Sequence, residues 1–334
     1  MGSIVTLDGD KRTTTYSDLN FRLRLDIAMP KNPSGKGIRI SDDLNDKQKG
    51  LDMDFHIIKT AENKPDESTI TIYNLTTETY DKIYQYGEEF TLSCAFSDED
   101  FTEFYRGYSK TYTQHKKKII LTANEGFMAQ DANAGRRGQN DLETEIKLIN
   151  YGIAELNKTY RKPVNTETIL NDCIKALGMP KGEMDTIKHK NINGYRAVGN
   201  VYNTLNYLGQ LLGFNFCINS GRFCAYDKTY SEMKKYGIFL HSANSNTPEK
   251  LDDKFTYHTG RKATKKKDGK ASYTEYERNG YCIETRLLPF LQVGSTVKCD
   301  FKFKDCKGLK YVYKLEHIGS NYAGTQMITK VYCV

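Results

Sequence analysis

Ser68-Thr69-Ile70-Thr71-Ile72-Tyr73-Asn74-Leu75 decides the architecture. Four consecutive β-branched residues, Thr69 to Ile72, are stiff at χ1 and pack well on a pleated surface, so the stretch reads as a strand. Upstream, Phe55-His56-Ile57-Ile58-Lys59 predicts a second strand, and Pro65-Asp66 marks the turn between them. Farther back, Phe21, Leu23, Leu25 and Ile27 recur at period two within Asp18 to Ala28, the pattern of a strand with one buried face. Residues 1–17 are polar and read as an extended arm. Downstream, Thr76 to Tyr86 predicts a short helix with Tyr80, Ile83 and Tyr84 on one side. Strands follow at Phe90 to Phe96, Glu103 to Tyr108 and Lys118 to Ala123, with an acidic turn at Ser97 to Asp100. Short strands joined by tight turns predict a small antiparallel barrel or sandwich over residues 18–130.

The middle of the chain changes period. Residues 131–165 are mixed and give no assignment. Thr166 to Leu177 puts Ile169, Leu170, Cys173, Ile174 and Leu177 on one helical face, with Asn165 or Thr166 as the cap and Gly178 and Pro180 as the stop. Asn200 to Leu212 repeats the arrangement with Val201, Leu205, Leu208 and Leu212. Phe214 to Ile218 and Arg222 to Tyr226 then flank Ser220-Gly221 as a hairpin, which sets Cys217 opposite Cys224 and makes a cross-strand disulfide conceivable. Residues 131–241 thus read as a small α/β module. Residues 242–275 are polar and Lys-rich, a linker or long loop. The end of the chain is β again, with strands at Val293 to Cys299, Gly308 to Leu315 and Gln326 to Val334 and a turn at Gly319 to Gly324. Gly87 to Leu92 and Gly294 to Cys299 share a glycine followed by alternating apolar positions, which hints that residues 242–334 hold a second copy of the first β block.

Composition agrees with this plan. The 334 residues suggest two or three domains. At 38% apolar and 27% charged, the chain is too apolar for disorder and too polar for a membrane or fibrous protein. Its 24 Tyr and 15 Phe suit half-buried positions on sheets. The net charge of +7 is mild for this length and excludes a dedicated nucleic-acid binder. The charge gathers at Lys116 to Lys118 and at Arg261, Lys262, Lys265, Lys266, Lys267 and Lys270. Lys262, Lys265, Lys266 and Lys267 are candidate contacts to an acidic partner or to DNA phosphates; the plainer reading is a solvated hairpin tip. No apolar run approaches the length of a membrane span, and residues 1–20 lack the apolar core of a signal peptide. A reducing cytoplasm and free thiols are therefore the expectation for the eight cysteines.

No pattern for chemistry stands out. The six His include no pair at metal-ligand spacing and no H-E-x-x-H, and the cysteines include no C-x-x-C. His56 reads as a satisfied strand residue, and His317 as the end of a strand before a turn. Ser34-Gly35-Lys36-Gly37 fails the P-loop pattern because Pro30 stands where its first Gly should be and Gly37 where its Ser or Thr should be. There is no G-x-S-x-G and no G-x-G-x-x-G. Cys94, Cys217 and Cys299 fall in strands beside apolar neighbours, as small hydrophobes. Asp98-Glu99-Asp100 lacks the glycine and ligand spacing of a calcium loop. The expectation is no catalytic residue, no cofactor and no metal.

The order of elements resembles the baseplate hub proteins of contractile-tailed bacteriophages. Ile72-Tyr73-Asn74-Leu75 is similar to a strand of that family, shortly after one such as Asp54 to Thr60. Phe104-Tyr105-Arg106-Gly107 is similar to its apolar-x-Gly strand, and Leu121 to Gly126 to a strand running into an Asp-Gly turn, with Glu125 in place of the Asp. Thr168-Ile169-Leu170, opening a helix that stops at Gly178, resembles the inserted domain. Leu288-Pro289 with Val293-Gly294-Ser295, and His317-Ile318-Gly319-Ser320, resemble the closing strands. The likeness spans roughly residues 20–334 but leaves residues 131–165 and the Lys-rich loop unmatched. It implies an α+β, mainly β chain with two tail-tube-like antiparallel β-barrel domains and an inserted small α/β module. It further implies a homotrimer in the virion tail baseplate, assembled in the host cytoplasm without membrane insertion. Such a ring adapts a sixfold tail tube, or a distal tail protein, to a threefold spike. A tape-measure protein or DNA in the lumen is an open contact under this reading. The alternatives are another tube or adaptor component of a tail or injection machine and a phage-borne cell-wall hydrolase.

Overall fold

The strand pattern seen in the sequence is the pattern of burial. The computed structural model describes residues 3–4, 14–15, 21–41, 51–61, 67–96, 100–115, 118–125, 154–184, 187–219, 222–227, 237–258, 264–265, 271–272, 275–302, 306–321 and 327–334. Ser3–Ile4 (β1) pairs with Thr14–Thr15 (β2) inside the arm. The first block contains Phe21–Ala28 (β3), Ile38–Ser41 (β4), Met53–Thr60 (β5), Glu67–Tyr73 (β6), Thr77–Tyr86 (α1), Glu89–Phe96 (β7), Thr102–His115 (β8) and Lys118–Glu125 (β9). Its strands are all antiparallel and lie in the order β4-β3-β7-β8-β9-β6-β5. Met53, Phe55 and Ile57 point into the core while Asp54, His56 and Ile58 point out. Leu23, Leu25, Ile27, Ile70, Ile72, Phe90, Leu92 and Phe104 join them there. Each such side chain contributes about 1.5–3 kcal/mol by leaving water. Helix α1 is capped by Thr76, whose Oγ1 accepts from the Thr79 N–H at 3.2 Å, and it buries Ile83 against this core.

The module contains Lys158–Tyr160 (β10), Val164–Asn165 (β11), Thr166–Ala176 (α2), Asn191–Ile192 (β12), Tyr195–Ala197 (β13), Val201–Leu212 (α3), Phe214–Asn219 (β14) and Arg222–Asp227 (β15). Both helices are where their periodicity placed them. Asn165 caps α2 by accepting from the Glu167 N–H, and Asn200 caps α3 by accepting from the Tyr202 N–H. Ile169, Leu170, Cys173 and Ile174 meet Val201, Leu205 and Leu208 across the helix pair, and Phe214, Phe216 and Phe223 close the core from the hairpin. In that hairpin Cys217 stands opposite Cys224, in the expected register, and both are buried thiols.

The C-terminal block contains Gly237–His241 (β16), Glu249–His258 (β17), Thr264–Lys265 (β18), Ala271–Ser272 (β19), Glu275–Arg286 (β20), Thr296–Asp300 (β21), Lys307–Ser320 (β22) and Ile328–Cys333 (β23). The stretch 242–275, expected as a linker, supplies β17, which pairs with β20. Polarity misled because, among the described residues, β17 ends the path of the sheet, and its Lys250 and Asp252 lie toward water. The strands at 237–241 and 275–286 also go beyond the sequence expectation.

One strand joins the two blocks. β22 is 14 residues long. Its first five residues pair with β21, and residues 312–318 pair with β23. Residues 314–320 pair on the other side with β5. The result is one sheet in the order β17-β20-β23-β22-β5-β6-β9-β8-β7-β3-β4, with β21 and β16 branching from the start of β22. The chain is α+β and mainly β, as expected. Its two β blocks are continuous, however, and no ladder closes into a barrel among the described residues. The turn expected at Gly319 is strand instead. A side chain at Gly319 would meet Met327 Cγ at 2.8 Å and Phe55 Cζ at 2.9 Å. This glycine serves close packing, not a turn.

Ile57 faces the core with no exposure, one strand from β22. Ile57→Ala is expected to cost about 2–5 kcal/mol. That cost would be read as a lower midpoint of urea unfolding at an unchanged slope.

A candidate assembly surface

The seam between the blocks has two faces of different character. On the outer face, register sets Ile318 opposite both Ile328 and His56, Glu316 opposite both Lys330 and Ile58, and Lys314 opposite both Tyr332 and Thr60. Three half-buried isoleucines, Ile58, Ile318 and Ile328, therefore lie across three neighbouring strands. An outer sheet face ordinarily alternates to polar residues. An apolar centre with a charged border is the composition of a protein–protein contact.

The border is a single network. Lys314 Nζ lies 2.6 Å from Glu316 Oε1. The Tyr332 hydroxyl donates to that oxygen at 3.1 Å. His56 Nε2 is 3.7 Å from Glu316 Oε2, and the Lys314 ammonium sits 4.6 Å above the centre of the Tyr332 ring. Burial alone would raise the Glu316 carboxyl. The hydrogen bonds from Lys314 and Tyr332 and the nearby charges outweigh it and hold the group below its ordinary range. Beside the network lies a groove of about 420 Å³ lined by Asp54, Phe55, His56, Thr69, Thr71, Ile318, Gly319 and Ser320. The Tyr73 hydroxyl donates to Asp54 Oδ2 at 2.5 Å and orients that carboxylate. Asn321 ties the end of β22 to the start of β5: its Oδ1 accepts from the Met53 N–H at 2.7 Å and its Nδ2 donates to the Leu51 carbonyl at 2.9 Å.

The inner face of the same seam is dry. His317 lies there, inside β22 and wholly buried, not at a strand end as the sequence suggested. Its Nδ1 is 2.9 Å from Thr329 Oγ1, its Nε2 has no hydrogen-bond partner, and its ring meets Phe104 edge-on at 5.7 Å. Burial, then the positive charge of Lys59, pushes the imidazole down to about 3, so it is neutral.

Of the lysines predicted as contacts, Lys265 falls in β18, opposite Ala271. Lys262, Lys266 and Lys267 lie outside the described residues, as does the acidic turn at 97–99. The outer-face network was missed in the sequence, although the i, i+2 spacing of Lys314, Glu316 and Ile318 is visible there. What the sequence does not carry is that β5 and β23 lie on either side of β22. Among the described residues, no group of three or more His, Cys, Asp or Glu is placed to hold a metal ion, and no helix is long and apolar enough to cross a membrane.

No protein-family model and no curated protein matches the sequence. Solved structures do match. The chain is similar to the 43 kDa tail protein of prophage MuSo2 from Shewanella oneidensis, with a TM-score of 0.56 at 10% identity over 94% of this chain and 96% of that one. It is similar to a tail protein from Neisseria meningitidis MC58, with a TM-score of 0.53 at 8% identity over 93% of this chain and 96% of that one. Likeness at such low identity is likeness of fold, and it covers more than nine-tenths of each of the three chains.

The buried imidazole makes stability depend on pH. In the unfolded chain it titrates near 6.5 and in the folded chain near 3. Between those values the unfolded chain takes up a proton that the folded chain does not. Stability present above pH 6.5 is therefore lost as pH falls toward 3, by up to roughly 1.4 kcal/mol per pH unit from this group. His317→Phe is expected to flatten that part of the profile in urea titrations at stepped pH. An unaltered slope would refute the assignment.

Proposed function

We propose that the chain is a structural component of a phage tail and, within it, the baseplate hub. The observation that carries this reading is the correspondence of fold, over more than nine-tenths of each chain, with a prophage tail protein and with a tail protein from Neisseria meningitidis. Three chains would supply six β blocks. Such a ring offers near-sixfold symmetry to the tail tube, or to a distal tail protein, and threefold symmetry to a spike. A ring closes when one surface of each copy meets a different surface of the next at the right rotation. The open sheet fits that requirement, since its path ends at two unlike strands, β4 and β17. Edge strands offer unpaired N–H and C=O groups to a neighbour. The isoleucines of the outer face supply an apolar centre for a neighbouring copy. The Lys-rich loop, Lys262 with Lys265 to Lys267, is a proposed contact to an acidic neighbouring protein. The role requires no catalytic group and places the protein in the virion baseplate after assembly in the host cytoplasm. A tape-measure protein or DNA passing through the lumen belongs to the same reading.

Light scattering on the purified full chain tests the proposal. A trimer in equilibrium with monomer is expected. A stable hexamer of whole chains would overturn the hub reading in favour of a tube component. Ile318→Arg is expected to shift the equilibrium to monomer with an unchanged circular dichroism spectrum.

A further inference from the structure

Two rows of side chains cross the sheet at the groove beside the seam. Ladder register sets Ser320 of β22, Asp54 of β5 and Thr71 of β6 side by side, with Ile318, His56 and Thr69 in the next row. In the first row a carboxylate stands between two hydroxyl side chains, at the close spacing of cross-strand neighbours. The Tyr73 hydroxyl donates to Asp54 Oδ2, which leaves Oδ1 without a hydrogen bond among the described residues. Glu316, on the same face, is matched by the Lys314 ammonium. Asp54 has no ion pair among the described residues, and no lysine or arginine lines the groove. His56 turns its Nε2 toward Glu316. The half-buried Asp54 carboxylate has thus given up part of its water without gaining a cation. Its surroundings are fixed in advance, because Asn321 ties the start of β5 to the end of β22 at this point.

We propose that this groove is the docking site for an arginine side chain presented by a neighbouring protein of the assembly, with the guanidinium on Asp54 and the aliphatic stem against Ile318. The partner rests on the assembly reading above; the chemistry of the site rests on the groove alone. Charge selects a cation, since the carboxylate awaits one. Acceptor geometry selects arginine over lysine. A guanidinium carries five N–H donors in one plane, enough to reach the carboxylate and the hydroxyl oxygens beside it together. An ammonium offers three donors from a single, more strongly hydrated point. The apolar part of the lining, Ile318, Phe55 and the methyl groups of Thr69 and Thr71, suits the stem of a long charged side chain. At about 420 Å³ the groove lies at the small end of ligand sites, the size for one side chain and not for a folded segment.

Saturation-transfer NMR on the full chain tests the site with three probes: Nα-acetyl-arginine methylamide, the same compound built on citrulline, and free arginine. The capped arginine is expected to bind, with its side-chain protons closest to the protein. The citrulline compound keeps the shape and loses the charge, and is expected to bind about tenfold more weakly or worse. The same loss is expected for the capped arginine on Asp54→Asn. Free arginine is expected to bind no tighter than the capped form. No binding of the capped arginine, equal binding of the citrulline compound, or unchanged affinity in Asp54→Asn would overturn the proposal. Tighter binding of free arginine would overturn it in favour of an amino-acid site. The three probes on the unmutated chain decide this even if Asp54→Asn does not fold. Light scattering reads the oligomer separately, so failure of the hub reading and failure of the arginine site are told apart.

Discussion

Everything in this fold depends on β22 returning to lie beside β5. The pairing runs from Lys314 against Thr60 to Ser320 against Asp54, across most of the chain. Its backbone hydrogen bonds turn two β blocks into one sheet. The packing behind them is equally shared: Leu287 and Met327, both from the C-terminal block, lie in the core of the first block, and Ala61, next to β5, lies in the core of the C-terminal block. A contact between such distant positions must overcome a large loop-closure entropy before it returns any stability, so this join depends on both blocks being present. His317 and Gly319 are the features of β22 that make the join specific. One is a wholly buried imidazole held by Thr329, and the other a site where only a glycine admits Phe55 and Met327.

The module is fixed to this frame by a second shared element. Hairpin β14–β15 is buried on both faces. Phe214, Phe216 and Phe223 fill the core of the module, while Cys217, Cys224 and Tyr226 fill the core of the C-terminal block. The Tyr226 ring lies over Gly294, where a built Cβ would come within 2.4 Å of it and where φ is +82°. The position thus demands glycine both for its backbone conformation and for the ring above it. A hairpin with two dry faces cannot separate from either side without exposing aromatic surface, so module and sheet move together.

Local physics was legible and long-range pairing was not. Helices α1, α2 and α3 were readable because their caps and apolar spacing are contiguous in sequence. The hairpin register of Cys217 and Cys224 followed from a two-residue turn. The strand at 21–28 followed from alternation, and the one at 67–73 from its run of β-branched residues. Strand β17 was hidden because an edge strand need not alternate toward an apolar face, and the reach of β22 past Gly319 was hidden because glycine ordinarily marks a turn. The outer-face surface was hidden for a different reason. Its residues come from β5, β22 and β23, and no spacing within any one strand records which strands are its neighbours.

A surface meant for assembly must stay soluble alone and yet lose little when it is covered. The outer face of the seam meets both demands. Its isoleucines are spread one per strand and half-buried by their neighbours, so each leaves only part of its side chain open on this face. Covering a charge is costly when its hydrogen bonds are to water. The Glu316 side chain is already only 12% exposed, its Oε1 is taken up by Lys314 and Tyr332, and its Oε2 lies 3.7 Å from His56 Nε2. Its solvation has been exchanged for protein contacts before any partner arrives. The cost of excluding the remaining water falls mainly on Lys330 and the outer edge of His56, where a partner carboxylate can replace it. Under the proposed assembly role, this face fits a partner that brings apolar side chains to the centre and acidic ones to the border.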